Sequence, residues 1–105
     1  THDNDTTKGW YETASEASRD KVRRYMNCDG GMVSRDFIRT ALGSVARYAI
    51  FPLQDLFGLG SEARMNTPGV AMGNWAWRYT QDMLSDGLAK DLEELSILYG
   101  RRSIL

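Results

Sequence analysis

An acid beside an imidazole is the pairing in this chain best suited to chemistry. His2 and Asp3 stand in the run Thr1-His2-Asp3-Asn4-Asp5-Thr6, which is polar and has no apolar period. Such a run is not core. A carboxylate at a strand or loop tip orients a polar substrate and stabilises positive charge developing on it. The same six residues also read as a solvated chain end, where short polar leaders usually belong. A hydrolytic carboxylate pair needs its members about 5 to 9.5 Å apart across a sugar bond. Asp3 and Asp5 are too close in sequence to face each other that way, so either one is a single member of such a site.

Other chemistries fit the chain poorly. A calcium loop starting at Asp3 fails, because Lys8 occupies the required glycine and Ala14 the bidentate glutamate. With one His and one Cys, a closed zinc site lacks ligands. Ser/His/Asp catalysis has only His2 as a possible base. Gly58-Leu59-Gly60-Ser61 lacks the lysine and the spacing of a phosphate-cradling loop. Trp75 and Trp77 lie two apart on a stretch that alternates ring and non-ring, so in an extended chain they share a face. That face is either packed against the protein or a platform for sugar rings.

Composition sets the class. The chain has 105 residues, 42% of them hydrophobic and 26% charged, as in a soluble globular domain or a piece of one. Thirteen Lys and Arg against fourteen Asp and Glu leave a net charge of -1, which argues against nucleic acid or an anionic membrane as partner. No apolar run approaches the roughly 18 residues of a membrane span. The opening has no cationic and apolar leader pattern, and the lone Cys28 suits a reducing compartment. There is no internal repeat.

The elements that would position these residues follow from pattern. Residues 6–12 continue the opening loop, with Gly9 allowing a bend and Trp10-Tyr11 setting two rings next to the carboxylates. Thr13-Ala14-Ser15-Glu16 has the capping-box form and predicts a helix over 14–27 with Val22, Tyr25 and Met26 inward. Asp29-Gly30-Gly31 ends it. Ser34 caps a second helix over 35–47, with Phe37, Ile38, Ala41, Leu42 and Val45 at helical spacing. Tyr48-Ala49-Ile50-Phe51-Pro52-Leu53 reads as a strand buried on both faces, as in parallel sheets. A long irregular segment runs from 54 to about 83, with a single helical turn capped by Ser61 and a turn at 65–69. Loops of that length in a compact domain are usually functional. A final helix covers 86–99, its Leu88, Leu92, Leu95 and Tyr99 inward; Gly100 stops it, and Arg101-Arg102 complement its dipole. The fold class is therefore α/β, mostly helical, with one or two short strands.

Several long segments carry a resemblance. They are residues 1–6, Gly9-Trp10-Tyr11, Ser44-Val45-Ala46-Arg47, the run 52–69, Gly73-Asn74-Trp75-Ala76-Trp77-Arg78, and Leu98-Tyr99-Gly100-Arg101. In order, over nearly the whole chain, they resemble the C-terminal end of the 4-α-glucanotransferases, also called amylomaltases or disproportionating enzymes, of the α-amylase clan. The resemblance implies the last part of a (β/α)₈ TIM barrel, from the end of strand 7 through helix 8, with no separate second domain. His2-Asp3 would lie at the carboxyl end of the seventh strand, where active sites of such barrels sit, and 48–53 would be the eighth.

The chemistry implied is retaining glycosyl transfer between α-1,4-glucans (maltooligosaccharides, starch or glycogen) with no cofactor. Asp3 matches the carboxylate that stabilises the transition state, His2 a substrate-binding imidazole, and Asn66 a sugar contact. The family's nucleophile and acid/base lie upstream and are absent here. A barrel needs about 250 residues, so these 105 alone are expected to be inactive. Exposed apolar barrel faces should pair with the remainder of the barrel or drive self-association. The expected location is the cytoplasm, or the plastid stroma in a plant. A non-catalytic glucan-binding or structural module is the alternative.

Overall fold

The computed structural model describes residues 3–102. His2 lies outside the described residues, so its expected place beside Asp3 is not addressed. Five α-helices follow one another: α1 (Thr7–Thr13), α2 (Glu16–Met26), α3 (Val33–Leu42), α4 (Leu53–Phe57) and α5 (Asp86–Leu98). Single 3₁₀ turns occupy Ser61–Ala63 and Gln81–Met83. Ile38, Leu42 and Leu95 form the core, with Ala49, Phe51, Leu56 and Tyr99 packed against it. The radius of gyration is 15.0 Å, above the roughly 13 Å of a compact domain of this length. The chain is a thin, helical slab whose core is shallow.

The opening segment is a helix where a loop was expected. Thr6 caps α1 by accepting from the Gly9 amide at 3.1 Å. The Asp55 carboxylate, from α4, accepts from the Thr7 amide at 2.9 Å and its hydroxyl at 2.8 Å. Tertiary anchoring of the first turn supplies what a seven-residue helix lacks in propensity. Gly9 is needed for close approach: a Cβ there would meet Ser61 Oγ at 2.3 Å. Trp10 and Tyr11 do not flank the carboxylates. Trp10 packs edge-on against Phe37 at 6.1 Å, and Tyr11 Oη accepts from Arg23 at 2.8 Å.

The second and third helices keep their expected places with shifted ends. Thr13 closes α1, its hydroxyl donating to Gly9 O, and Ser15 caps α2 through the Ser18 amide at 3.2 Å. The expected stripe of α2 keeps Val22 buried and Met26 half-buried, while Tyr25 is exposed. Helix α2 ends at Asn27 in the left-handed region, two residues before the Asp-Gly-Gly signal. Ser34 is buried inside α3 rather than capping it, and α3 stops at Gly43, short of 47.

Residues 48–52 are extended but belong to no ladder, and no strand occurs among the described residues. The expected strand is therefore absent, and residues 73–79, which alternate ring and non-ring like a short strand or an extended stretch, form no strand either. A strand needs a neighbour to take its N–H and C=O groups, and none is supplied among the described residues. The alternation itself survives: Ala49 and Phe51 turn to the core, while Tyr48 and Ile50 are 76% and 89% exposed. Only one face of the segment is buried, not two.

Helix α5 starts where capping predicts, with Ser85 accepting from the Leu88 amide at 3.0 Å, and Gly100 follows it at φ 72°. The two arginines behind it act differently than expected. Arg101 leaves its own helix and donates to Leu42 O and Ala46 O, both at 2.8 Å, and more weakly to Ala41 O, Ser44 O and Arg47 O. It thereby caps α3 and holds the 43–47 turn. Arg102 pairs with Glu93.

Candidate functional site

The two aspartates of the opening run have separate jobs. Asp5 is structural. Its Oδ1 accepts from the Thr6 amide at 2.7 Å and its Oδ2 from the Ser61 hydroxyl at 2.7 Å, with the Arg64 guanidinium 3.9 Å away. Ser61, expected as a helix cap, is thus spent on tying the opening run to the 3₁₀ turn. Asp3 is exposed, and its Oδ1 accepts from Asn66 Nδ2 at 2.6 Å. The bond joins two of the residues that sequence reasoning singled out, 63 positions apart in the chain.

Arg64, to which the sequence reading gave no part in the site, sets that meeting. Its Nε donates to Asn66 O at 2.8 Å and one terminal nitrogen to Asp3 O at 2.8 Å. One planar guanidinium therefore fixes the backbone of both partners, which a lysine, with its single point charge, would not do. In the sequence Arg64 looked like the end of a helical turn. The signal available was its position directly before Met65-Asn66-Thr67-Pro68.

The loop beyond Asn66 is braced from within. Thr67-Pro68-Gly69-Val70 turns with Gly69 at φ 79° and the Val70 amide donating to Thr67 O at 3.1 Å, as a Pro-Gly type II turn requires. Asn74 closes the loop from both sides: its Oδ1 accepts from the Thr67 amide at 2.9 Å and its Nδ2 donates to Val70 O at 2.8 Å. Trp75 then donates its amide to Met65 O at 2.6 Å. Trp75 and Trp77 do not share the face of an extended strand, because Trp75 sits at φ 63° and breaks the run.

A groove lies elsewhere. About 600 Å³ in volume, it runs between α1, α3, α4 and α5 and includes neither Asp3 nor Asn66. Its floor is Val33, Ile38, Leu56, Leu88, Leu92 and Leu95. Three of those, Val33, Ile38 and Leu95, are core residues, so the groove continues into the core. Cys28 offers no poised nucleophile either: burial, above all, pushes its thiol above the ordinary value, and Asp36 adds to the shift. No helix among the described residues is long and apolar enough to cross a membrane.

Residues 1–84 match the family model described as 4-alpha-glucanotransferase. A 4-alpha-glucanotransferase of Synechocystis sp. is 52% identical over 105 residues, covering 97% of this chain. The chloroplastic/amyloplastic 4-alpha-glucanotransferase of Solanum tuberosum is 44% identical, covering 96%. The chain spans only 20% and 18% of the lengths of these two relatives. Among solved structures, an amylomaltase from Streptococcus agalactiae in complex with acarbose superposes with a TM-score of 0.90 at 29% identity, over 98% of this chain and 21% of that one.

Proposed function

This chain belongs to the 4-alpha-glucanotransferase family, and from that premise we propose that it is the C-terminal segment of the enzyme's catalytic (β/α)₈ barrel, contributing one of three acidic groups. Asp3 is the group assigned here. The observation that carries the assignment is the 2.6 Å hydrogen bond from Asn66 to an exposed Asp3 carboxylate. It fixes the rotation of an exposed carboxylate beside a braced loop.

The barrel placement draws support from the extended segment 48–52. Ala49 and Phe51 face the helices, and Tyr48 and Ile50 face outward. Alternation of this kind is what a parallel barrel strand shows once its neighbours and the barrel interior are removed. Residues 48–53 then act as the eighth strand and Asp3 follows the seventh. The whole chain, residues 1–105, is one part of that barrel.

The substrates are α-1,4-glucans. In the retaining mechanism an upstream carboxylate attacks the anomeric carbon while an upstream acid protonates the departing glycosidic oxygen. The 4-hydroxyl of a second glucan then attacks the glycosyl-enzyme carbon, gives its proton to the acid/base and releases the nucleophile. Asp3 binds ring hydroxyls and offsets the positive charge on the oxocarbenium-like carbon in both steps. Asn66 holds Asp3 and meets the sugar, and His2 binds at the same subsite. The soluble compartment is the cytoplasm or a plastid stroma. The test is disproportionation of maltotriose by residues 1–105 and by the full-length protein carrying them. Transfer by the full-length protein alone is expected; transfer by the 105 residues alone contradicts the division of catalytic groups.

A further inference from the structure

Trp75 combines three features. It is a bulky residue at φ 63°, in a region that side chains other than Gly, Asn and Asp seldom occupy. Its backbone is held there from both ends: the amide donates to Met65 O at 2.6 Å, and the carbonyl accepts from Arg78 at 2.8 Å. About half of the residue, 49%, remains exposed. Met65 is the immediate neighbour of Asn66, whose side chain holds Asp3. The indole is therefore carried on a backbone held in the same braced loop as the acid's partner. Strain of this kind persists only where the surroundings enforce it, and it concentrates at ligand clamps.

Resting on the reading above, we propose that Trp75 is a stacking platform for a glucose unit of the glucan, next to the unit that Asp3 holds. The apolar C–H face of a pyranose lies on the indole, with the sugar hydroxyls left to water and the loop. An indole suits this task because it offers a wide, rigid face at little entropic cost. Its contribution is uniform binding, equal for ground and transition state, so it acts on KM rather than on the chemical step.

The test uses the full-length protein and maltooligosaccharides of three to seven units. Trp75→Ala is expected to raise KM about tenfold, the size of one stacking contact, with kcat little changed, and Trp75→Phe to recover most of the loss. Equal KM in wild type and Trp75→Ala overturns the proposal. Should Trp75→Ala not fold, Trp75→Phe and Trp75→Leu decide: tighter binding by Phe than by Leu supports stacking, and equal KM overturns it. Binding of maltotriose, followed by tryptophan fluorescence in Asp3→Asn with and without Trp75→Phe, separates this proposal from the role of Asp3. Loss of a binding-linked signal with Trp75→Phe supports the platform whatever the turnover of Asp3→Asn. An unchanged signal overturns the platform and leaves the Asp3 reading untouched.

Discussion

Asn66 reaches across 63 positions of sequence to place its amide nitrogen 2.6 Å from Oδ1 of Asp3. Arg64 clamps the backbone carbonyls of the same two residues with one guanidinium. The acid is thus set by a donor on its side chain and a cation on its main chain, both from the turn that follows α4. The 2.6 Å bond gives the carboxylate one preferred orientation.

Removing the donor should therefore mis-set the acid. Asn66→Ala in the full-length protein is expected to lower kcat/KM for maltotriose by on the order of tenfold or more. Asn66→Asp should be worse, because it sets a second negative charge against Asp3. Steady-state kinetics on variants with unchanged melting curves checks both. An Asn66→Ala protein within twofold of wild type contradicts the orienting role.

Arg101 is expected to matter for stability and not for chemistry. It donates to carbonyls at the end of α3 and in the 43–47 turn. Carbonyls at a helix end lack the regular intrahelical partner, and of these Ala41 O is also met by Ser44. Arg101→Ala should cost about 2 kcal/mol, and Arg101→Lys should recover little, since a lysine cannot serve several carbonyls in one plane. Urea unfolding midpoints measure the loss, while kcat of the folded fraction stays near wild type.

The outward face of the extended segment predicts how the isolated chain behaves. Tyr48 and Ile50 are exposed at 76% and 89%, and Val45 is fully exposed. Unpaired backbone beside apolar side chains invites association. Residues 1–105 should self-associate in sedimentation experiments, and Tyr48→Ser with Ile50→Ser should shift them toward monomer. The same pair of changes should lower the melting point of the full-length protein, where these side chains are expected to be interior. Improved solubility without that penalty contradicts the barrel placement.

Local patterns were legible where the physics is local. Ser85, the leucines at 88, 92 and 95, and Gly100 define α5 within a residue, because cap, stripe and stop are all short-range signals. Helix α1 was not legible: its first turn is anchored by Asp55, 48 positions away. The strand expected at 48–53, buried on both faces, is absent from the described residues: a short apolar run marks burial, but not whether a neighbouring strand is there to pair with it. At the site, Asp3 and Asn66 were named from a resemblance and are brought together. Arg64 was passed over, since a guanidinium bridging two backbone carbonyls leaves no spacing rule in the sequence. Arg101 was misassigned for the same reason: its dipole preference was visible, but which helix it serves depends on how α3 and α5 cross.

The role of Asp3 is tested most directly by Asp3→Asn in the full-length protein, which keeps the size of the side chain and removes its charge. The measurement is kcat for transfer between maltotriose molecules, on protein whose melting point matches wild type. The expected result is a fall on the order of a hundred- to a thousand-fold, with maltotriose still bound. A folded Asp3→Asn enzyme that transfers at near wild-type rate contradicts it.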